Sequence, residues 1–299
     1  MQDWLILAAE DGSPLGHVLN KGVGDIPMHF ITMAIATFFA IFVLLKAADA
    51  IETGGEDEGN DRYLTKGKLS QMIEVIVLYL LNNVIRPQLG EHTARFAPYL
   101  LTLFFFILFN NIAGLIPLLD LQHLIGHFGW GDAHWAVVGG TATGNIAVTA
   151  ALAVIAFFVI QIAGFRSLGV GGWLSHLTAG APWYIWPIMI PVELMGMLIK
   201  PAALAIRLFA NMTAGHILLA VVFMLPLFLA KALDGGWGIV LPISLISLLA
   251  GIGIMFLELF VAFLQAFIFM FLTAMFIAQM MPHHHDEHHD EHGHEAVAA

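Results

Sequence analysis

A polytopic, all-α membrane fold is what this sequence predicts, and three observations predict it. Of its 299 residues, 59% are hydrophobic and only 11% are charged, against about 25% charged in an ordinary soluble domain. Mean hydropathy is +0.85, which leaves too little polar surface to coat a water-soluble body of this size. The apolar residues also gather into stretches long enough to cross a hydrocarbon core about 30 Å thick, roughly 20 helical residues each. Backbone amides facing lipid find no water to bond, so each stretch must be helical.

In chain order the apolar zones are Ile26–Ala48, Phe96–Leu119, Asn145–Phe165, Trp183–Ala230 and Trp237–Met281. Residues 1–25 read as an outer N-terminal segment, 26–281 as the helical membrane core of a single domain, and 282–299 as a disordered tail rich in histidine and acid. The first residues lack the basic and long apolar regions of a cleavable signal, so the first span is expected to carry the targeting information. Between the first two zones, Leu69–Leu89 sets Met72, Ile73, Ile76, Val77, Leu80 and Leu81 at helical spacing among Glu74, Asn82, Asn83 and Arg86. That pattern predicts an amphipathic helix on the membrane surface, with an additional span as the alternative.

The last two zones exceed what a crossing needs. The 45 residues of Trp237–Met281 would run about 65 Å as a helix. Either each zone hides a turn or each is one strongly tilted helix. No polar turn chemistry interrupts Trp237–Met281 beyond Gly251 and Gly253, which favours tilt, although average spans lean only about 20°. Five crossings then put Lys46, Arg62, Lys66, Lys68, Arg86, Arg95 and Arg166 on one side and only Lys21 and Lys231 on the other. By the positive-inside rule the N-terminus faces out and the tail lies in the cytoplasm.

Several function classes drop out. The chain has no cysteine, which removes disulfide, thiolate and cysteine-ligated metal chemistry. Its net charge of −11 comes mostly from Glu52–Asp61 and the tail, and no basic patch offers a footing for nucleic acid. No phosphate-binding glycine loop is present, and the order of long and short spans shows no inverted repeat.

Chemistry concentrates in the last two zones, whose deep ionisable groups are Glu193, Lys200, Arg207, His216 and Glu258. A charge at such depth costs roughly 2.5 to 3.5 kcal/mol and usually marks an ion pathway. Arg207 lies far from both ends of its zone, so its guanidinium cannot easily snorkel, and it stays protonated. It can attract a carboxylate and repel cations but cannot relay a proton; the bland alternative is a static pair with Glu193 or Glu258. Asn211, four residues on, shares its face and could orient the guanidinium or its partner. His216, nine residues on, points to the opposite face; imidazole can pass protons, or it can simply be a hydrogen-bonded packing residue. Glu258 and Gln265, seven residues apart, place a carboxyl and an amide on one otherwise apolar stripe. Glu193 either pairs with Lys200 or lines a second, inner access route.

The run from Lys200-Pro201 through Arg207-Leu-Phe-Ala-Asn-Met-Thr-Ala-Gly-His216, with Glu258 and Leu264-Gln-Ala-Phe-Ile-Phe269 downstream and Phe109-Asn-Asn-Ile-Ala-Gly-Leu-Ile-Pro117 upstream, resembles subunit a of the F-type ATP synthase. The resemblance covers nearly the whole chain. It implies a static membrane subunit, without nucleotide or other cofactor, beside a rotating ring of c subunits, with peripheral-stalk b subunits and the rest of the F1Fo complex as partners. Two offset half-channels would lead protons in past His216 and Glu258 and out near Glu193, with Arg207 as the essential arginine between them and Asn211 and Gln265 as its polar neighbours. In some family members the acid precedes the histidine; here the order is reversed. Related chains can carry an acid near Asn145, which leaves the outer lining here less defined. The expected location is a bacterial inner membrane, with the mitochondrial inner membrane as the alternative.

Two other classes stay open at this stage. A secondary transporter binding an anionic solute would also bury a cation, and a scaffold would use buried charge only to specify helix packing. The tail from His283 to His294 is expected to be a solvated disordered segment, with weak divalent-metal binding at His283, His284 and His285 as the alternative.

Overall fold

The computed structural model describes residues 22–23, 26–50, 65, 67–116, 141–178, 181–232 and 237–281. Two short strands, β1 (Gly22–Val23) and β2 (Ile26–Pro27), pair antiparallel with Gly22 opposite Pro27. Helices follow: α1 (Met28–Asp49), α2 (Lys68–Tyr79), a π-helical turn at Leu80–Ile85, α3 (Arg86–Leu89), a 3-10 turn at Gly90–His92 and α4 (Thr93–Leu115). A second 3-10 turn at Ala142–Gly144 leads into α5 (Ile146–Thr178), then α6 (Trp186–Ala232) and α7 (Trp237–Gln279). Five helical segments are long and apolar enough to cross a membrane: His29–Asp49, Lys68–Leu115, Ile146–Ser175, Trp186–Pro226 and Val240–Gln279. The chain is an all-α polytopic integral membrane protein.

The two over-long zones are single helices of 47 and 43 residues, with no hidden turn. Pro191, Pro201 and Pro226 lie inside α6. Each proline removes a backbone donor and crowds the carbonyl four residues back, yet the helix continues because the rest of its ladder is intact.

The stretch Leu69–Leu89 is helical, with an irregularity that has a local cause. Pro87 cannot donate to the carbonyl of residue 83, and its ring would collide with it. The preceding turn widens over Leu80–Ile85, where the Arg86 amide reaches back to Leu81. Gly90, at φ 52° and ψ −124°, then separates this rod from α4 in a conformation that side chains with a Cβ rarely adopt. One stripe, including Ile73, Leu80, Val84 and Leu89, packs inward, while Leu69, Met72, Val75 and Leu78 are exposed.

The third span runs past the Phe165 boundary that hydropathy predicts. Gly169 takes φ 69° and ψ 174°, and beyond it the chain folds back: Trp173 stacks on Phe165 at 4.4 Å and donates through Nε1 to the Gln161 side chain at 3.1 Å. In a straight helix Trp173 would lie about 18 Å along the axis from Gln161 and about 12 Å from Phe165.

The C-terminal half of α7 is enclosed by the bundle, with Phe269, Met270, Ala274 and Ile277 fully buried against a cluster that includes Leu100, Phe104 and Ile107 of α4. In lipid, apolar burial against protein gains packing rather than escape from water, so small residues that permit close approach matter most. Ala156 and Ala163 of α5 and Ala262, Ala266 and Ala274 of α7 supply them. The N-terminal half of α7 leaves Leu241, Leu245, Leu249, Ile252 and Phe256 exposed.

Candidate functional site

The register of α6 sorts its side chains into two faces. Leu204, Leu208 and Met212 are buried at helical spacing, whereas Ala203, Arg207, Ala210 and Ala214 form an exposed stripe. Arg207 therefore points away from the bundle, flanked by residues small enough to let another helix come close. Among the described residues it makes no hydrogen bond or ion pair, so the static pair with Glu193 or Glu258 is not formed.

Asn211 does not serve Arg207. Its Nδ2 donates across to Gln265 Oε1 on α7 at 3.1 Å. That bond closes one wall of a small pocket between α4, α6 and α7, whose polar lining is Asn111, Asn211, Glu258 and Gln265 and whose apolar walls include Leu208 and Ala262. Asn111 of α4 donates through Nδ2 to the Ala262 carbonyl at 3.2 Å. Its Oδ1, Gln265 Nε2 and Glu258 Oε2 have no hydrogen-bond partner among the described residues. Buried polar atoms are rarely left so, and several converging on one pocket make it a place for water or a proton-bearing group.

Glu258 is only 4% exposed, and its Oε1 lies 3.8 Å from His216 Nδ1. That is too long for a direct hydrogen bond but within reach of proton exchange through one water. The helices approach this closely because residue 215 is glycine: a Cβ there would sit 2.5 Å from Glu258 Oε1 and 2.8 Å from its Cδ. The stripe shared by Glu258 and Gln265 is thus on the protein-facing side of α7, and His216 faces it while Arg207 faces away.

Toward the other end of α6, Glu193 and Lys200 do not pair. Lys200 Nζ donates to Gln279 Oε1 at 3.2 Å and sits over the Phe276 ring at 5.1 Å. Glu193 makes no hydrogen bond or ion pair among the described residues. His283, His284 and His285 lie outside the described residues, and no cluster of three potential metal ligands occurs among those described.

Sequence does not single out Asn111, which lines the pocket, or Gly215, which lies against Glu258. Asn111 belongs to a pair of consecutive amides, Asn110-Asn111, in mid-span; two amides in an apolar helix are costly enough to have marked it. Gly215 carried no such sign, because the need for a missing side chain appears only once Glu258 is opposite. A third feature joins the start of α1 to the start of α5: Asn145 Nδ2 lies 3.3 Å from His29 Nε2.

A family described as ATP synthase A chain matches residues 26–278. The chain belongs to the ATP synthase A chain family. It is 37% identical over 241 residues to ATP synthase subunit a 2 of Chlorobaculum tepidum, covering 81% of this chain and 59% of the relative. It is 39% identical over 243 residues to ATP synthase subunit a of Myxococcus xanthus, covering 81% of this chain and 68% of that one. A shorter stretch of 201 residues is 43% identical to ATP synthase subunit a of Anaeromyxobacter dehalogenans, covering 66% of this chain and 45% of the relative. The matched part is thus 59% of the length of the Chlorobaculum relative and 64% of that of another from Prosthecochloris aestuarii. Within this A-chain family member, the matched span contains every pocket residue from Asn111 to Gln265.

Proposed function

We propose that this chain is the static, non-nucleotide-binding subunit of the Fo sector of an ATP synthase, in which two offset proton half-channels meet a rotating ring of carboxyl-bearing c subunits. The observation that carries the reading is Arg207: a permanent cation midway along a membrane helix, unpaired among the described residues and framed by alanines. A charge in that position calls for an acid from another chain. At about 4 Å and an effective dielectric near 20, a guanidinium and a carboxylate attract by about 4 kcal/mol. That is close to a thousandfold preference for the ionised over the neutral acid. An acid reaching Arg207 gives up its proton, and a neutral one is free to move off through lipid.

The pocket of Asn111, Asn211, Glu258 and Gln265, with His216 at its edge, supports an outer route that delivers protons to the ring. Glu193 is the group to which the inner route is assigned. Arg207 lies between the two and keeps them from joining. The partners are the c ring, the peripheral-stalk b subunits and the remaining F1Fo subunits. The location is a bacterial inner membrane, with the N-terminus outside, residues 26–281 as the membrane core and the tail in the cytoplasm.

The test is purification in mild detergent followed by reconstitution. A small membrane subunit with one mid-span acid should co-purify, and Arg207→Ala should lower ATP-driven proton pumping by at least about 100-fold. Solute transport by the purified chain alone would instead assign Arg207 to a transporter site.

A further inference from the structure

We infer that His29, held by Asn145, is the first proton-accepting group of the outer route, ahead of His216 and Glu258. The inference rests on the proton-translocating function proposed above. His29 is 4% exposed and begins the stripe Thr32, Ala36, Ala40, Val43 and Ala47, by which α1 packs on the bundle. Its ring thus faces protein, where an imidazole serves packing less well than an aliphatic side chain.

Its partner is constrained. Asn145 stands just before α5, and its Oδ1 accepts the Ala147 amide at 2.8 Å, capping the helix. With the oxygen committed, the NH2 group must face the imidazole, so Asn145 donates and His29 Nε2 accepts. One ring nitrogen is thereby kept as a lone pair, the state able to take a proton.

The way inward is also polar. The 3-10 turn Ala142–Gly144 packs against α1, α4, α5 and α6. Thr143 is 0% exposed, and its hydroxyl has no partner among the described residues. The same is true of the Thr213 hydroxyl on α6 and the Asn110 amide oxygen on α4. Thr213 is one turn from His216. No charged side chain lies in the facing segments Ala142–Gly144, the first turn of α5 or the last two turns of α4, so nothing described there competes for the proton. In transfer the bond from Asn145 opens, His29 Nε2 takes up one proton, the same nitrogen releases one proton toward the threonine hydroxyls, and the bond re-forms.

The experiment uses the reconstituted whole complex, with rates normalised to assembled complex. His29→Gln keeps an acceptor for Asn145 but cannot titrate, and should slow ATP-driven pumping and passive proton conduction about tenfold. His29→Glu accepts the same bond and titrates, and should stay within about threefold of the parent. Equal rates for the Gln variant and the parent, or equal losses for Gln and Glu, would overturn the inference. If His29→Gln does not assemble, Asn145→Asp keeps the helix cap and changes only the group facing the ring. It should alter the pH dependence of conduction from the outer side, and an unchanged profile counts against the relay. Arg207→Ala in parallel separates the two levels, because coupled pumping that survives it removes the ATP synthase reading itself.

Discussion

At the His216 end of the α6–α7 pair, polar side chains are enclosed and answer one another across helices: Asn211 meets Gln265, Asn111 meets the Ala262 carbonyl, and Glu258 lies against His216 with Gly215 making room. At the Glu193 end the same kinds of group are half-exposed. Lys200 reaches sideways to Gln279, and Glu193 makes no hydrogen bond or ion pair among the described residues. One end is built by this chain alone. The other, like Arg207, presents its polar groups outward. In lipid an outward-facing charge is costly, so the contrast marks the second region as the one that, under the function proposed above, a partner would complete.

The largest expected effect breaks the enclosed end. Glu258→Leu removes the titratable group from the pocket and should lower ATP-driven proton pumping about 100-fold, the scale of losing a positioned proton-transfer group. Glu258→Asp should recover most of the rate. A Leu variant that still pumps at half the parent rate would show that the pocket is only structural. Next, Gly215→Val sets a branched side chain on the Glu258 carboxyl. Overpacking of this kind costs roughly 1 to 3 kcal/mol; pumping should fall about tenfold with normal assembly, and adding Glu258→Asp, which is shorter and still titrates, should restore part of it.

A smaller effect sharpens the comparison through stability. Asn111→Leu deletes a helix-to-helix hydrogen bond, worth about 0.6 kcal/mol on average in membrane proteins. The detergent-solubilised complex should melt slightly earlier. Smallest of all, Lys200→Met at the open end exchanges an exposed contact worth less than about 1 kcal/mol, and should leave thermal stability unchanged within error. If Lys200→Met proves the more destabilising of the two, the contrast between built and open ends is wrong.

Much of the fold could be read directly, because lipid demands a minimum apolar length and leaves the backbone no choice but a helix. That logic located all five spans. It failed at Phe165, where apolar composition ends but the helix continues to Gly169 and then doubles back, because Trp173 finds Gln161 and Phe165. Hydropathy records affinity for lipid and is blind to a hook that packs on its own helix. Periodicity likewise places Asn211 near the face of Arg207, yet the amide bonds to a residue 54 positions away.

Sequence by itself determined that this is a membrane protein of five spans, two of them over-long, with one fixed cation deep in an apolar helix and a few titratable groups near it. Those conclusions follow from length, composition and the price of charge in hydrocarbon, which are local properties. Tertiary structure alone decided that Arg207 looks outward, unpaired among the described residues, that Glu258 closes on His216 over a glycine, and that Asn111, 151 residues from Ala262, belongs to the same pocket. Helical register says which face a residue occupies; only the crossing of one helix over another says what that face meets.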